Sequence, residues 1–222
     1  MKKLLCILLS AFLLLLVSSC SDKQKAAEKN AVATVNGEAI TQDEYDYFRK
    51  KYKSQVLNEC LEKFDVEYTE AFWKTEFDGI TPEEILHDRI IKECVMAKIQ
   101  LLLMKEEGIF EDVSFAGLKL KAETFNSENE NKEGVVGIKS IQMSQFYSYY
   151  LQTGIMELQN IYAEEKLKPS DKEIREKISE MTAELSSYSE EDYINIAKSK
   201  LKTEKYEKYI NELYEKAVVK EF

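Results

Sequence analysis

Few side chains in this sequence have the types and spacing that catalytic or metal chemistry requires. His87 is the only histidine, so no second imidazole is present to complete a zinc site. No Gly-x-Ser-x-Gly motif marks a nucleophilic serine, and the seven glycines are scattered instead of forming a phosphate-binding loop. Acidic pairs such as Glu83/Glu84 and Glu190/Glu191 fall in predicted first turns of helices, where carboxylates interact favourably with the helix dipole. We therefore predict no catalytic residue, no metal and no cofactor, and we expect His87 to have a surface or packing role.

The thiol of Cys20 is better placed for covalent chemistry. Two lysines precede an uncharged, mostly apolar run from Leu4 to Val17, and small residues lead from there to the cysteine. This layout is typical of a secretory signal peptide, and fourteen residues are fewer than the roughly twenty that a membrane-spanning helix needs. The Val-Ser-Ser-Cys sequence that ends at Cys20 resembles the lipobox of bacterial lipoproteins, in which the cysteine receives a diacylglycerol. The resemblance implies a signal peptide at 1–19, a lipid on Cys20 and an extracytoplasmic, membrane-anchored location; the alternative is an ordinary signal peptide with an incidental cysteine.

A cluster of aromatic residues is the feature that most suggests binding. Phe146, Tyr147, Tyr149 and Tyr150 fall within five residues of a predicted helix. Successive helical residues are about 100° apart, so the four rings cannot all face one core. Tyrosine combines apolar area with a hydroxyl, which suits varied peptide partners. We predict that these four residues bind polypeptide; the alternative is that the tyrosines pack with their rings inside and their hydroxyls at the surface.

Composition disfavours a nucleic-acid role and predicts long helices. The chain has 31 basic and 41 acidic residues, and removal of 1–19 takes away two lysines, which leaves a formal charge of −12. Such a chain is poorly suited to neutralise phosphates. Only two prolines and seven glycines occur, while Glu, Lys, Leu and Ile are abundant. Cys60 and Cys94 are interpreted either as two buried thiols or as one disulfide.

Turn and capping signals predict the elements that position these residues. Residues 20–31 are polar and predict a lipidated cysteine followed by a flexible tether, and 32–222 predict one folded domain. Asn36-Gly37 predicts a hairpin between short strands at 32–35 and 38–40, and we expect Val218-Val219 to pair with the first strand. Helices are predicted from the capping box at 41–44, from 81–82 to Gly108, at 113–125, at 144–167 and after capping signatures at 170–173 and 189–192, with a polar loop at 126–134.

Residues 32–45 have the sequence Val-Ala-Thr-Val-Asn-Gly-Glu-Ala-Ile-Thr-Gln-Asp-Glu-Tyr. This segment resembles the start of the chaperone domain in the SurA and PrsA class of extracytoplasmic foldases. Residues 85–108 and 198–220 resemble the second core helix and the closing helix and strand of the same domain. The resemblance implies a mainly α, SurA-like chaperone domain with a small β-sheet formed by the N- and C-terminal strands. It also implies binding of unfolded or partly folded exported polypeptides in an apolar crevice.

The sequence departs from this family where a parvulin-type prolyl isomerase domain is inserted. Only about twenty residues, 168–188, are present at that point, whereas an independent domain needs at least about fifty. We therefore expect the isomerase domain to be absent, and His87 does not match its active site. The resemblance then implies a membrane-tethered chaperone without a catalytic centre. Two alternatives stay open: a foldase of the peptidyl-prolyl isomerase family with residual activity, and an adaptor lipoprotein for one envelope partner.

Overall fold

A computed structural model describes residues 30–130, 140–181 and 189–222 of the chain. It divides into two units, of which the first contains the chain up to Cys94 together with Val218–Phe222 and the second contains Val95–Ala217. The predicted signal peptide, Cys20 and most of the predicted tether lie outside the described residues.

Three short strands form an antiparallel sheet in the first unit. Strand β1 (Ala31–Val35) lies between β2 (Glu38–Thr41) and β3 (Val219–Glu221). Asn36 and Gly37 have φ angles of 51° and 88°, the two positive values that a type I′ turn requires, so the hairpin closes in two residues. The predicted pairing of the N-terminal strand with the C-terminal strand is confirmed by the ladder between β1 and β3.

Helix α1 (Gln42–Phe64) follows β2 and begins at the predicted capping box. The carboxylate of Glu44 accepts a hydrogen bond from Thr41 N at 2.8 Å, and Thr41 Oγ1 accepts one from Glu44 N at 3.3 Å. These bonds satisfy amides that have no partner within the helix. The periodicity of α1 predicts an apolar stripe of six residues, of which Tyr45, Phe48, Val56 and Cys60 are buried. The other two, Tyr52 and Phe64, are half-buried.

Helix α2 (Pro82–Glu106) begins in the first unit and ends in the second. Proline occupies its first position, where a missing amide costs least. Gly108 stops the helix as predicted, two residues after Glu106, and its φ of 71° lets Ile109 N donate to Met104 O at 2.8 Å. Cys94 on α2 and Cys60 on α1 are both buried and form no disulfide, so the interpretation as two buried thiols is confirmed.

Four helices make up most of the second unit: α3 (Phe115–Glu130), α4 (Met143–Glu164), α5 (Asp171–Met181) and α6 (Glu190–Glu215). Helix α4 contacts both α3 and α6. Its buried positions recur every three or four residues and are Tyr147, Tyr150, Gly154, Leu158 and Tyr162. Helices α5 and α6 share a small apolar core formed by Ile174, Met181, Ala197 and Leu201.

The predicted loop at 126–134 is wrong for its first five residues, because α3 continues to Glu130. The amide group of Asn126 donates to Ile141 O at 3.0 Å and accepts from Ile141 N at 2.7 Å, which fixes the segment before α4. Ser127 and Asn129 donate to carbonyl oxygens of the preceding turn at 2.9 Å. An exposed last turn can therefore be polar throughout and still be helical.

The described residues are mainly helical with one small antiparallel sheet, so the predicted fold class is confirmed. Among the helices of the described ranges, none has an apolar stretch long enough to cross a membrane.

Candidate functional site

The four aromatic residues predicted to bind polypeptide point in different directions on the first turns of α4. Tyr147 and Tyr150 are buried, with 1% and 9% of their surface exposed, whereas Tyr149 is 65% exposed. Phe146 lies at the boundary and is half-buried. The spacing of about 100° per residue accounts for this division, because 147 and 150 lie on the core side and 149 on the opposite side. The structure thus leaves Tyr149 and part of Phe146 accessible and places Tyr147 in the core.

An aromatic platform, formed by Phe110, Tyr150 and Phe146, lies along one side of α4. The rings of Phe110 and Tyr150 stack with centroids 3.8 Å apart and an interplanar angle of 23°, and Phe146 follows at 6.0 Å from Tyr150. Lys121 of α3 donates to Tyr150 Oη at 2.9 Å, and its Nζ lies 5.0 Å from the ring centroid. The hydroxyl of Tyr150 is therefore hydrogen-bonded, while the ring of Tyr150 remains in contact with apolar side chains.

Close packing at Gly154 holds the platform against the rest of the second unit. A Cβ at this position would lie 2.4 Å from Met104 Sδ and 2.7 Å from a ring carbon of Phe110. Glycine avoids crowding here, because these distances are shorter than non-bonded heavy atoms normally allow. Tyr147 adds a tilted contact with Phe115 of α3, with centroids 5.4 Å apart.

The outer surface of α4 carries two exposed apolar side chains on one face. Tyr149 and Met156 are seven residues apart, so they lie within about 20° of each other around the helix, and Met156 is 64% exposed. The exposed positions between them, Gln152 and Thr153, are polar but uncharged. We call these four residues the α4 face. No charged side chain interrupts it, although charged residues make up 32% of the chain.

A second polar arrangement lies in the first unit around His87. Tyr45 Oη and His87 Nδ1 are 2.9 Å apart, and His87 Nε2 lies 2.7 Å from Glu221 Oε2. Burial raises the pKa of Tyr45 above its ordinary value, partly offset by the nearby guanidinium of Arg49. His87 therefore joins α1 and α2 to strand β3, which is consistent with the predicted packing role.

Within the described residues, no three His, Cys, Asp or Glu side chains are grouped closely enough to hold a metal ion. The carboxylates that do have close partners mostly cap helices or pair with lysine and arginine at the surface.

The chain is similar to a curated protein named Foldase protein PrsA from Caldanaerobacter subterraneus subsp. tengcongensis. The two are 28% identical over 91 residues, which is 41% of this chain and 28% of the relative. The match thus spans little more than a quarter of the relative's length. No protein-family model and no solved structure matches the chain. The comparison supports a relation to PrsA-like foldases at a coarse level and does not extend to the relative as a whole.

Met156 and the uncharged polar residues beside it were not identified from the sequence. One signal was available, because Ser140 to Met156 is a run of seventeen residues without a single charge. In a chain of this composition such a run indicates either a buried helix or a surface kept free of charge for binding. The exposure of Tyr149 and Met156 favours the second interpretation for the outer side of α4.

Proposed function

We propose that this protein is a membrane-anchored extracytoplasmic chaperone that binds unfolded or partly folded exported polypeptides, its clients. The relative named as a foldase supports a role in protein folding. The anchor is inferred from the apolar run and the lipobox-like sequence at Cys20. The client surface is assigned to the α4 face together with the edge of Phe146.

The observation that carries this assignment is the exposure of Tyr149 and Met156 on a helix surface without charge. An unfolded segment buries its apolar side chains on such a surface without having to desolvate an ion. Both side chains belong to flexible or amphipathic types that adapt to different sequences. The platform beneath gives the surface a rigid support, since Tyr150 is held by stacking and by Lys121.

The test is suppression of aggregation of a chemically denatured model client, followed by light scattering. The variant Tyr149→Ala with Met156→Ala should suppress aggregation several-fold less well than the wild-type chain. Its melting temperature should stay nearly unchanged, because both side chains are about two-thirds exposed. A double variant with full suppression would contradict the assignment of the α4 face.

Leu120→Ala is a matched control, because Leu120 of α3 is 63% exposed and lies outside the α4 face. It should leave client binding intact. Tyr147→Ala supplies the opposite control, since removal of a buried aromatic ring costs about 3–5 kcal/mol. That variant should lose stability first and client binding only as a consequence.

A further inference from the structure

One side of the α4 face is flanked by acidic residues. Glu157 and Glu164 follow Met156 on α4, are seven residues apart and are both exposed. They lie about 80–100° around the helix from Met156, next to Thr153, and so flank the α4 face on one side. Neither carboxylate forms an ion pair with any residue that the structure describes. An unpaired carboxylate beside an apolar surface is available to a cation on a bound partner.

The charged residues in the sequence around α4 are also mainly acidic. From Glu106 to Glu165, with 131–139 left out, the sequence contains ten acidic residues and two lysines, Lys119 and Lys121. Lys121 is already engaged with the platform through Tyr150. Lys202 of α6 also approaches α4 and donates to Asn160 Oδ1 at 3.1 Å, but it pairs with neither carboxylate. Acidic residues therefore outnumber lysines in the stretch of chain that carries the α4 face.

The distances between these side chains along the axis of α4 indicate the spacing of matching residues in a bound peptide. Tyr149 and Met156 are about 10 Å apart along the axis, and Glu164 lies about 12 Å further on. An extended polypeptide advances about 3.3 Å per residue, so two apolar side chains about three residues apart span the first distance. A cation one to four residues beyond the second apolar side chain then reaches Glu157 or Glu164.

We propose that the α4 face selects client segments in which apolar residues are followed or preceded within a few positions by lysine or arginine. This inference rests on the proposed function and specifies its substrate class. Glu157 and Glu164 are the residues that determine specificity for charge, and Tyr149 and Met156 supply binding that is independent of charge. Segments with acidic flanks are disfavoured by repulsion from the same two carboxylates.

The test uses three fluorescent peptides with blocked termini, each with the apolar core Phe-Ser-Ser-Leu followed by two lysines, two glutamines or two glutamates. Fluorescence polarisation with the whole chain at low salt measures the dissociation constants. The lysine peptide should bind about tenfold more tightly than the glutamate peptide, because each exposed carboxylate contributes a few-fold. Raising the salt concentration to 0.5 M, a condition of strong screening, should reduce the ratio to about twofold.

Variants then separate this inference from the proposed function. Glu157→Gln with Glu164→Gln should bring the three peptides to within about twofold of one another and leave the affinity for the glutamine peptide unchanged. Glu207→Gln on α6, an exposed carboxylate with no ion pair among the described residues, is the control and should keep the full preference.

Each outcome has one meaning. Equal binding of the three peptides to the wild-type chain, lost in Tyr149→Ala with Met156→Ala, overturns the charge selection and leaves the client surface standing. Absence of binding by all three peptides refutes the proposed function itself. A preference for the lysine peptide that persists in Glu157→Gln with Glu164→Gln overturns the assignment of charge selection to these two glutamates. Self-association of the chain that is abolished by Tyr149→Ala with Met156→Ala identifies a second copy of the chain, instead of a client, as the partner bound on the α4 face.

Discussion

Replacing Gly154 by alanine tests whether the platform beneath the α4 face is packed as closely as the structure indicates. The added methyl group would lie 2.4 Å and 2.7 Å from the sulfur and terminal carbon of Met104, and 2.7 Å from the ring of Phe110. Met104 is fully buried, so its flexible end has little free volume to enter. Phe110 is fixed by its stacking on Tyr150.

Two opposing effects set the magnitude. Alanine in place of glycine inside a helix stabilises by about 1 kcal/mol. An extra methyl group in a closely packed site costs about 1–3 kcal/mol. We therefore expect Gly154→Ala to lower the free energy of unfolding by about 1 kcal/mol, which corresponds to a fall of about 2–4 °C in melting temperature for a chain of this size.

Met104→Ala provides the partner for a double-mutant cycle. Alone, it should destabilise by about 2–5 kcal/mol, since it leaves a cavity. In that background Gly154→Ala should instead stabilise by up to about 1 kcal/mol, because the crowded atoms are gone and only the helix preference remains. Urea unfolding followed by circular dichroism measures all four chains. The packing argument fails if Gly154→Ala is stabilising in the wild-type chain or has the same effect in both backgrounds.

Three further predictions concern other parts of the chain. Cys20→Ser should abolish incorporation of a fatty-acid probe in cells, and equal labelling of the variant would contradict the lipoprotein assignment. Removal of 218–222 should lower the melting temperature by at least about 3 °C, because the bond from Asn36 N to Val218 O and the contact between His87 and Glu221 are lost; an unchanged melt would mean that β3 contributes nothing. The hydrogen bond from Lys205, with bonds from Ser170, lowers the pKa of Glu173 from 4.5 to about 2, so its contribution to stability is present above pH 4.5 and is lost as the pH falls towards 2. Glu173→Gln should therefore flatten the fall in stability over that interval in acid titrations, and a pH profile identical to that of the wild-type chain would refute the role of this carboxylate.

Local chemistry made much of the fold predictable. The turn at Asn36-Gly37 and the capping boxes at Thr41 and Ser189 depend on residues within a few positions of one another, and each occurs where the sequence places it. The pairing of β1 with β3 could be predicted only from the resemblance to a known domain and from the β-prone residues in both segments. The end of α3 was misjudged because its last turn is stabilised by side-chain bonds and not by an apolar stripe.

The candidate site was predictable only in part. Periodicity established that Phe146, Tyr147, Tyr149 and Tyr150 must diverge around the helix, but it did not decide which of them face the core. That orientation is fixed by Met104, Phe110 and Phe115, which come from distant parts of the sequence. The contact between His87 and Glu221 joins residues 134 positions apart, and no local sequence pattern predicts it.

The position of β1 in the sheet has a consequence for the order in which the chain folds during synthesis. One neighbour of β1 follows it within three residues, whereas the other, β3, comes after the whole second unit. The second unit is one uninterrupted stretch, 95–217, so all its contacts are available before β3 emerges. Closure of the first unit must wait and must bring together residues separated by nearly the whole chain, which is an entropically costly step. Until then one edge of β1 has unpaired backbone groups, and during that interval the chain is open to pairing with strands of other polypeptides.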